Sequence, residues 1–316
     1  MALKVILDTD AGDDIDDLYA LALILSSPEL ELVGITTVFG NTPARARLVQ
    51  TLLKVCGRED IPVAAGCGGV LSPRVEYGGG KKKLKDRVLT PSAFDYLTDI
   101  KPPQFPCSLP EKDLPPLHPT HGVNFLIETL LNAQEEIVLL TIGAMTNVAT
   151  ALIMEPGIIR KISRIYAMAG CYFSPQVEWN ICCDPIAARI VFDSGIPIIA
   201  VGLDVTLKCV FNEQDLMKLY GAGTPLLRKL TEATRLWCGS TGRKFPVLHD
   251  PLAVCLLLRE NLVEMERGRV FVEIEGEKGY GLTLFEKNEQ GIHQVGKEVK
   301  AREVIDLWIE RCFNYG

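Results

Sequence analysis

Short apolar runs alternate with amphipathic stretches through most of the chain. An apolar run at residues 4–7 predicts a strand, helical spacing at 15–25 predicts a helix, and a β-rich run at 32–38 predicts a second strand. This order is typical of a βαβ unit, in which a helix connects two parallel strands.

The same alternation continues toward the C-terminus. Helices are predicted at 43–56, 123–132, 144–154 and 185–192, and strands at 61–64, 136–142, 164–168 and 197–201. Crossovers of this length are normally right-handed. The pattern predicts an α/β fold with a mostly parallel open sheet flanked by helices.

The last third of the chain has a different pattern. Helices are predicted at 213–220, 226–238 and 251–258, followed by short strands at 270–274 and 282–285. Residues 78–116 are rich in Gly, Pro and Lys and have weak periodicity, which is typical of a long functional loop. We therefore expect a single domain, 1–316, with a helical C-terminal part and a flexible flap around 67–118.

Composition and charge exclude several classes of protein. The chain is 47% hydrophobic and 23% charged, as in ordinary globular proteins. Its net charge of −7 argues against nucleic-acid binding, which normally requires a basic face. Lysines cluster at 81–85, but they follow glycines and are interpreted as a solvated loop.

The cysteines and the N-terminus bear on location. The ten cysteines form no CxxC pair, which favours buried thiols in a reducing compartment. The first ten residues hold no long apolar stretch, and no run of about 18 apolar residues occurs, so neither a signal peptide nor a membrane span is predicted. We expect a cytoplasmic protein.

An acidic run follows the first predicted strand. Residues 8–17 contain six aspartates at a position where parallel sheets present their binding sites. Helix dipoles favour one or two acids in a first turn by about 0.3–1 kcal/mol each, but six exceed that explanation. Clustered carboxylates suit a hard cation such as Ca²⁺, and the spacing excludes an EF-hand. A magnesium phosphatase with an aspartyl nucleophile is an alternative that uses only the DxD at 8–10.

Six short motifs then occur in the order of one family. They are the DTDAGDDIDD run, GITTVFGN at 34–41, TIGAMTN at 141–147, MAG at 168–170, EWN at 178–180 with the following Asp184-Pro185, and HDP at 249–251. Together these motifs resemble those of the inosine-uridine preferring nucleoside hydrolases. Each motif is weak alone, but the ordered set is specific. The resemblance implies a nucleoside hydrolase-like fold.

Two departures from the family pattern affect the site. The acidic run is two residues longer than the usual DxDxGxDD, and counting back from the following helix places Asp16 and Asp17 at the two adjacent acids. The family's usual glycine- and histidine-containing flap is not found between 66 and 119. Base preference, tolerance of deoxyribonucleosides or modified nucleosides, and the choice among Asp13, Asp14 and Asp16 as ribose contact therefore stay open.

The resemblance implies one metal and a set of roles. Ca²⁺ would be held by Asp10, Asp17, Asp250 and the backbone carbonyl of Ile142, with Asp8 in support. Asp10 would also activate water as the general base, and His249 would assist departure of the base. The implied contacts to the ribose hydroxyls are Asp16, Asn41, Met168 through its backbone, Glu178 and Asn180.

The predicted function is calcium-dependent hydrolysis of the N-glycosidic bond of a ribonucleoside to free base and ribose. The alternative is a calcium-dependent nucleoside or ribose binder without turnover, although both Asp10 and His249 are present. The partner is a small nucleoside rather than nucleic acid or membrane. The resemblance implies a homodimer or homotetramer.

Overall fold

The computed structural model of the chain describes residues 2–72, 101–276 and 278–315. The chain begins with alternating strands and helices, as the hydrophobic pattern predicts. These elements are β1 (Leu3–Thr9), α1 (Asp16–Leu25), β2 (Leu30–Thr37), α2 (Thr42–Val55) and β3 (Val63–Ala65). Most of the predicted flap, residues 73–100, lies outside the described residues.

The alternation continues after the flap, with bounds close to the predicted ones. These elements are α3 (Gly122–Asn132), β4 (Ile137–Thr141), α4 (Thr146–Met154), β5 (Ile162–Met168), α5 (Trp179–Cys183), α6 (Pro185–Phe192) and β6 (Ile198–Val201). The short helix α5 was not predicted, because five residues are too few to show helical periodicity.

The C-terminal part contains both helices and strands. Its elements are α7 (Leu203–Thr206), α8 (Glu213–Gly221), α9 (Pro225–Thr241), α10 (His249–Leu258), β7 (Val263–Val272), β8 (Thr283–Lys287), β9 (His293–Val299) and α11 (Ala301–Phe313). The sequence prediction omitted α7, β9 and α11 and started β7 too late. Strands β7 and β9 carry exposed charged residues on one face, so neither reads as an apolar run.

Within the described residues, nine strands form one sheet in the order β3-β2-β1-β4-β5-β6-β9-β7-β8. The first seven of these strands are parallel to one another, whereas β7 is antiparallel to both β8 and β9. The α/β class with a mostly parallel sheet is therefore confirmed. The carboxyl ends of β1, β2, β4 and β5 meet at one edge.

The sheet is covered on both faces. Along β1, Val5 and Leu7 belong to one hydrophobic cluster, whereas Ile6 belongs to another. The cluster with Val5 and Leu7 includes α1 and α9 to α11, and the cluster with Ile6 includes α3, α4 and α6. Side chains alternate along a strand, so a strand buried on both faces reads as a continuous apolar run.

The described part of the flap contacts the acidic loop. The backbone N–H of Gln104 donates to the carbonyl of Gly12 at 3.2 Å, and its side-chain amide donates to the carbonyl of Asp14 at 2.5 Å. This end of the flap is therefore attached beside the carboxyl end of β1. Among the described residues, no helix has both the length and the apolar character needed to cross a bilayer.

Candidate active site

The acidic run forms a turn between β1 and α1. Asp8 is the penultimate residue of β1 and Asp10 follows the strand, both nearly fully buried. Gly12 has φ +123°, a conformation that side-chain-bearing residues rarely adopt, and this lets the chain reverse into the helix. The hydroxyl of Thr9 donates to Asp17 Oδ1 at 2.5 Å and links the strand end to the first turn of α1.

Three buried carboxylates converge at this edge. Asp16 and Asp17 open α1, Asp250 lies in the first turn of α10, and one oxygen of each lies within 4.8 Å of the others. The backbone N–H of Asp250 donates to Asp16 Oδ2 at 3.2 Å. Two helix N-termini therefore point toward the group, and their dipoles favour negative charge there.

The group is electrostatically costly without a cation. Burial, followed by repulsion from neighbouring aspartates, raises the pKa of Asp16, Asp17 and Asp250 well above the usual range. Burial likewise raises the pKa of Asp10 to about 6, and Asp10 contributes to the repulsion at the other three. Such a set of oxygens suits a hard divalent ion.

Asp8 is buried at the end of β1, and only one of its carboxylate oxygens accepts hydrogen bonds from described residues. Its Oδ1 accepts hydrogen bonds from Thr36 Oγ1 at 2.6 Å and Asn147 Nδ2 at 2.7 Å. No described residue donates to its buried Oδ2. Burial raises the pKa of Asp8 to about 7. One oxygen of Asp8 is therefore held by two donors, and the other is buried without a described donor.

The predicted carbonyl ligand lies at the end of the neighbouring strand. Ile142 follows β4, and its N–H donates to the carbonyl of Asp8 at 2.9 Å. Its carbonyl accepts from Asn180 Nδ2 at 3.1 Å, and the same amide nitrogen donates to the carbonyl of Met168 at 2.9 Å. Asn180 thus connects β4 and β5 and brings the predicted metal and ribose ligands together.

Two predicted ribose contacts are also helix caps. Glu178 caps α5, and its buried carboxylate accepts from the backbone N–H groups of Gly170, Asn180 and Ile181. Burial raises its pKa to about 7 although these hydrogen bonds oppose the rise. Asn41 caps α2 by accepting from the N–H of Ala44 at 3.1 Å. These bonds fix each side chain and leave further lone pairs.

His249 is the first residue of α10. Its Nδ1 lies 2.8 Å from the hydroxyl of the buried residue Thr206. Burial, assisted by the positive charge of Arg243, lowers the pKa of His249 to about 4. The imidazole is therefore neutral near pH 7, and the Thr206 contact fixes its orientation beside Asp250.

Three contributors were missed by sequence reasoning. Arg45 on α2 is 4% exposed and donates to backbone carbonyls of the acidic turn. Asn147 donates to Asp8 and to the carbonyl of Thr37, tying β1 to β2. Asp184 accepts hydrogen bonds from Ser72 and Thr146 and anchors the start of the flap. Asn147 and Asp184 stood in the quoted motifs, whereas only the fold distinguishes Arg45 from exposed arginines.

Comparisons with known proteins identify the family of the chain. Residues 5–311 match the family described as inosine-uridine preferring nucleoside hydrolase. A relative from Citrobacter koseri, described as pyrimidine-specific ribonucleoside hydrolase RihA, is 34% identical, and the match covers 100% of this chain and 99% of the relative.

Similar solved structures cover the whole fold. The plant nucleoside hydrolase PpNRh1 superposes with a TM-score of 0.79 at 28% identity, covering 99% of this chain and 100% of the other. A purine-preferring ribonucleoside hydrolase from Gardnerella vaginalis superposes with a TM-score of 0.78 at 25% identity, covering 99% of this chain and 98% of the other. The chain therefore belongs to the inosine-uridine preferring nucleoside hydrolase family, a family of N-glycosidases.

Proposed function

We propose that the chain hydrolyses ribonucleosides to free base and ribose with the help of Ca²⁺. The observation that carries this proposal is the group of Asp16, Asp17 and Asp250, whose oxygens lie within 4.8 Å of one another and which Asp10 is close enough to repel. An all-oxygen group of this kind, buried at the carboxyl edge of the sheet, suits both a hard cation and a sugar.

The residues fit a bound cation. Asp10, Asp17, Asp250 and the carbonyl of Ile142 are the proposed ligands, and the proximity of Asp16 to Asp17 and Asp250 makes it a further candidate. The unpartnered Oδ2 of Asp8 is consistent with a positive charge or a water nearby. When bound, Ca²⁺ would orient the ribose hydroxyls and lower the pKa of water.

Asp10 is the proposed general base. It would accept a proton from the water that attacks the anomeric carbon while the bond to the base breaks. Arg45 donates to the backbone carbonyl of Asp10, and its positive charge opposes the rise in the pKa of the Asp10 carboxyl that burial causes. Ionised acids around the ribose would stabilise the positive charge that develops on the sugar.

The ribose contacts and the leaving group complete the proposal. Asp16, Asn41, Glu178, Asn180 and the backbone of Met168 would accept or donate hydrogen bonds to the sugar hydroxyls. His249 would assist departure of the base as a neutral imidazole, with Thr206 donating to Nδ1 and the ring proton on Nε2. A protonated His249 is disfavoured by its low pKa.

The proposed substrate is an unphosphorylated ribonucleoside. Buried carboxylates surround the site, so the phosphate of a nucleotide would be repelled. The relative from Citrobacter koseri is described as pyrimidine-specific, and we propose uridine and cytidine as first candidates. A homodimer or homotetramer and a cytoplasmic location stay predictions.

The test is release of ribose and base from uridine, cytidine, inosine, adenosine and uridine 5′-monophosphate. Wild type, Asp10→Ala and the surface control Asp60→Ala are compared before and after chelation of calcium. We expect Asp10→Ala to lose at least about a hundredfold in kcat/KM, as is typical on removal of a general base. Asp60, with a 65% exposed side chain, should be replaceable without effect.

The outcomes separate the hypotheses. Release that falls on chelation, returns with Ca²⁺ and is absent for the nucleotide supports the proposal. Ribose binding without base release, unchanged in Asp10→Ala, would instead favour the non-catalytic binder. Family membership sets aside the magnesium phosphatase, and phosphate release from the nucleotide would revive it.

A further inference from the structure

Arg45 joins the two loops that follow the neighbouring strands β1 and β2 and that carry the predicted site residues Asp10 and Asn41. Its Nε donates to the carbonyl of Phe39 at 2.6 Å, and Nη1 donates to the carbonyls of Asp10 and, at 3.1 Å, Ala11. Phe39 precedes Gly40 and Asn41 in the loop after β2, whereas Asp10 follows β1. A single planar guanidinium therefore fixes the spacing between these two loops.

The backbone of Phe39 requires such support. Phe39 has φ +63°, a left-handed conformation that is strained for a bulky residue. Its N–H donates to the carbonyl of Cys67 at 2.8 Å, and its carbonyl accepts from Arg45. A strained residue of this kind persists only where several contacts hold it. Here the two hydrogen bonds hold Phe39 in the conformation that leads the chain to Asn41.

The charge of Arg45 is balanced by the extended part of the acidic run. Asp13 Oδ2 lies 2.6 Å from Arg45 Nη2, and the side chains are 38% and 4% exposed respectively. Asp13 is thus turned toward α2, and its contact with Arg45 accounts for its place in the turn.

We infer that Asp13 and Arg45 are a positioning pair, which sets the distance between the Asp10 loop and the Asn41 loop. This inference rests on the proposed function. Asp13 acts on catalysis through Arg45 and touches neither the ribose nor the metal. Arg45 acts through three backbone carbonyls, so its forked geometry matters as well as its charge.

The experiment is a double-mutant cycle with Arg45→Met, Asp13→Asn and the double variant, together with Arg45→Lys. The readouts are kcat and KM for the best nucleoside, and the rise in Tm on adding ribose at saturating Ca²⁺. We expect Arg45→Met to lose about tenfold or more in kcat/KM, because small displacements of reacting groups are costly. Arg45→Lys should recover only part of this loss, since one ammonium cannot span the same carbonyls.

Asp13→Asn carries the decisive comparison. This substitution should lower kcat/KM about threefold in the wild-type background. It should lower kcat/KM no further in the Arg45→Met background, because its effect passes through Arg45. An equal loss in both backgrounds would show that Asp13 contacts ribose or metal directly and would overturn the inference. Full activity in Arg45→Lys would overturn the role of the fork.

A matched control separates positioning from stability. Arg302 makes a forked pair with the buried residue Asp215 at 2.9 and 3.0 Å, away from the site. Arg302→Met should lower Tm while leaving kcat, KM and the ribose-induced rise unchanged. If Arg45→Met behaves in the same way, Arg45 is only structural. If Arg45→Met does not fold, the double-mutant cycle is measured with Asp13→Asn and Arg45→Lys, alone and combined.

The ribose readout keeps this inference separate from the proposed function. A wild type that binds ribose without releasing a base contradicts hydrolysis, yet the same cycle still reports on Asp13 and Arg45. A wild type with normal turnover and additive variants contradicts the positioning pair alone.

Discussion

Gly143 shows how closely the strand ends approach each other. A Cβ on Gly143 would lie 2.9 Å from the backbone nitrogen of Asp10 and 3.0 Å from its Oδ1. Real Cβ atoms essentially never approach backbone so closely, and the β1 loop would have to move. The absence of a side chain at 143 is therefore a requirement of the site.

Gly143→Ala is expected to reduce kcat/KM by about tenfold or more, because it displaces Asp10 from the attacking water. Steady-state kinetics and thermal unfolding would measure the effect. Gly239→Ala is the matched control, since nothing lies within 4 Å of its Cβ position and it sits inside α9. That control should raise stability by about 0.5–1 kcal/mol with unchanged kinetics. Normal kinetics in Gly143→Ala would contradict this account.

At the scale of elements, α11 supports the helix that carries Asp16 and Asp17. Trp308 on α11 is fully buried, and its indole N–H donates to the carbonyl of Tyr19 on α1 at 2.9 Å. The ring centroids of Tyr19 and Trp308 lie 4.8 Å apart, and the ring centroid of Phe211 lies 5.4 Å from that of Trp308. The C-terminal helix therefore stabilises the N-terminal one.

Trp308→Ala is expected to destabilise the protein by about 3–5 kcal/mol, as is typical for loss of a buried aromatic side chain. Denaturant unfolding would measure the loss, and Met217→Ala, at a 65% exposed position, should change stability little. At a temperature where the variant remains folded, its kcat should be near wild type. A stability within about 1 kcal/mol of wild type would contradict the role of Trp308 in holding α11 against α1.

For the whole molecule, the buried acids couple stability to pH and calcium. The pKa values of Asp8 and Asp10 are raised from 3.8 to about 7 and about 6. As pH rises above about 4, the unfolded chain releases these protons first, so the metal-free protein loses stability until the folded pKa values are passed. A bound cation would remove this loss.

The rise in Tm caused by Ca²⁺ should therefore be larger at pH 8 than at pH 5. Scanning calorimetry with chelator and with excess Ca²⁺ would measure it, and Asp17→Asn should reduce the calcium-dependent rise at both pH values. A rise that is equal at both pH values would contradict the coupling. Since calcium binding is measured without substrate, this test is independent of turnover.

The sequence by itself determined strands β1 to β6 and the carboxylate motifs, because both depend on local sequence patterns. Apolar runs at β1, β2, β4 and β5 predict strands buried on both faces, and the acids of the first run follow a strand end. The order of the motifs identified the family, which the match over residues 5–311 confirms.

Only the tertiary structure decided how these side chains meet and which buried partners hold them. Asp250 lies far along the chain from Asp16 and Asp17, and the packing of α10 on α1 brings them together. Periodicity cannot distinguish Arg45, which is buried, from Arg47 on the same helix, whose side chain is 32% exposed. Local sequence fixes which residues can form a strand or a helix, whereas long-range packing determines which polar groups lose water and must find partners.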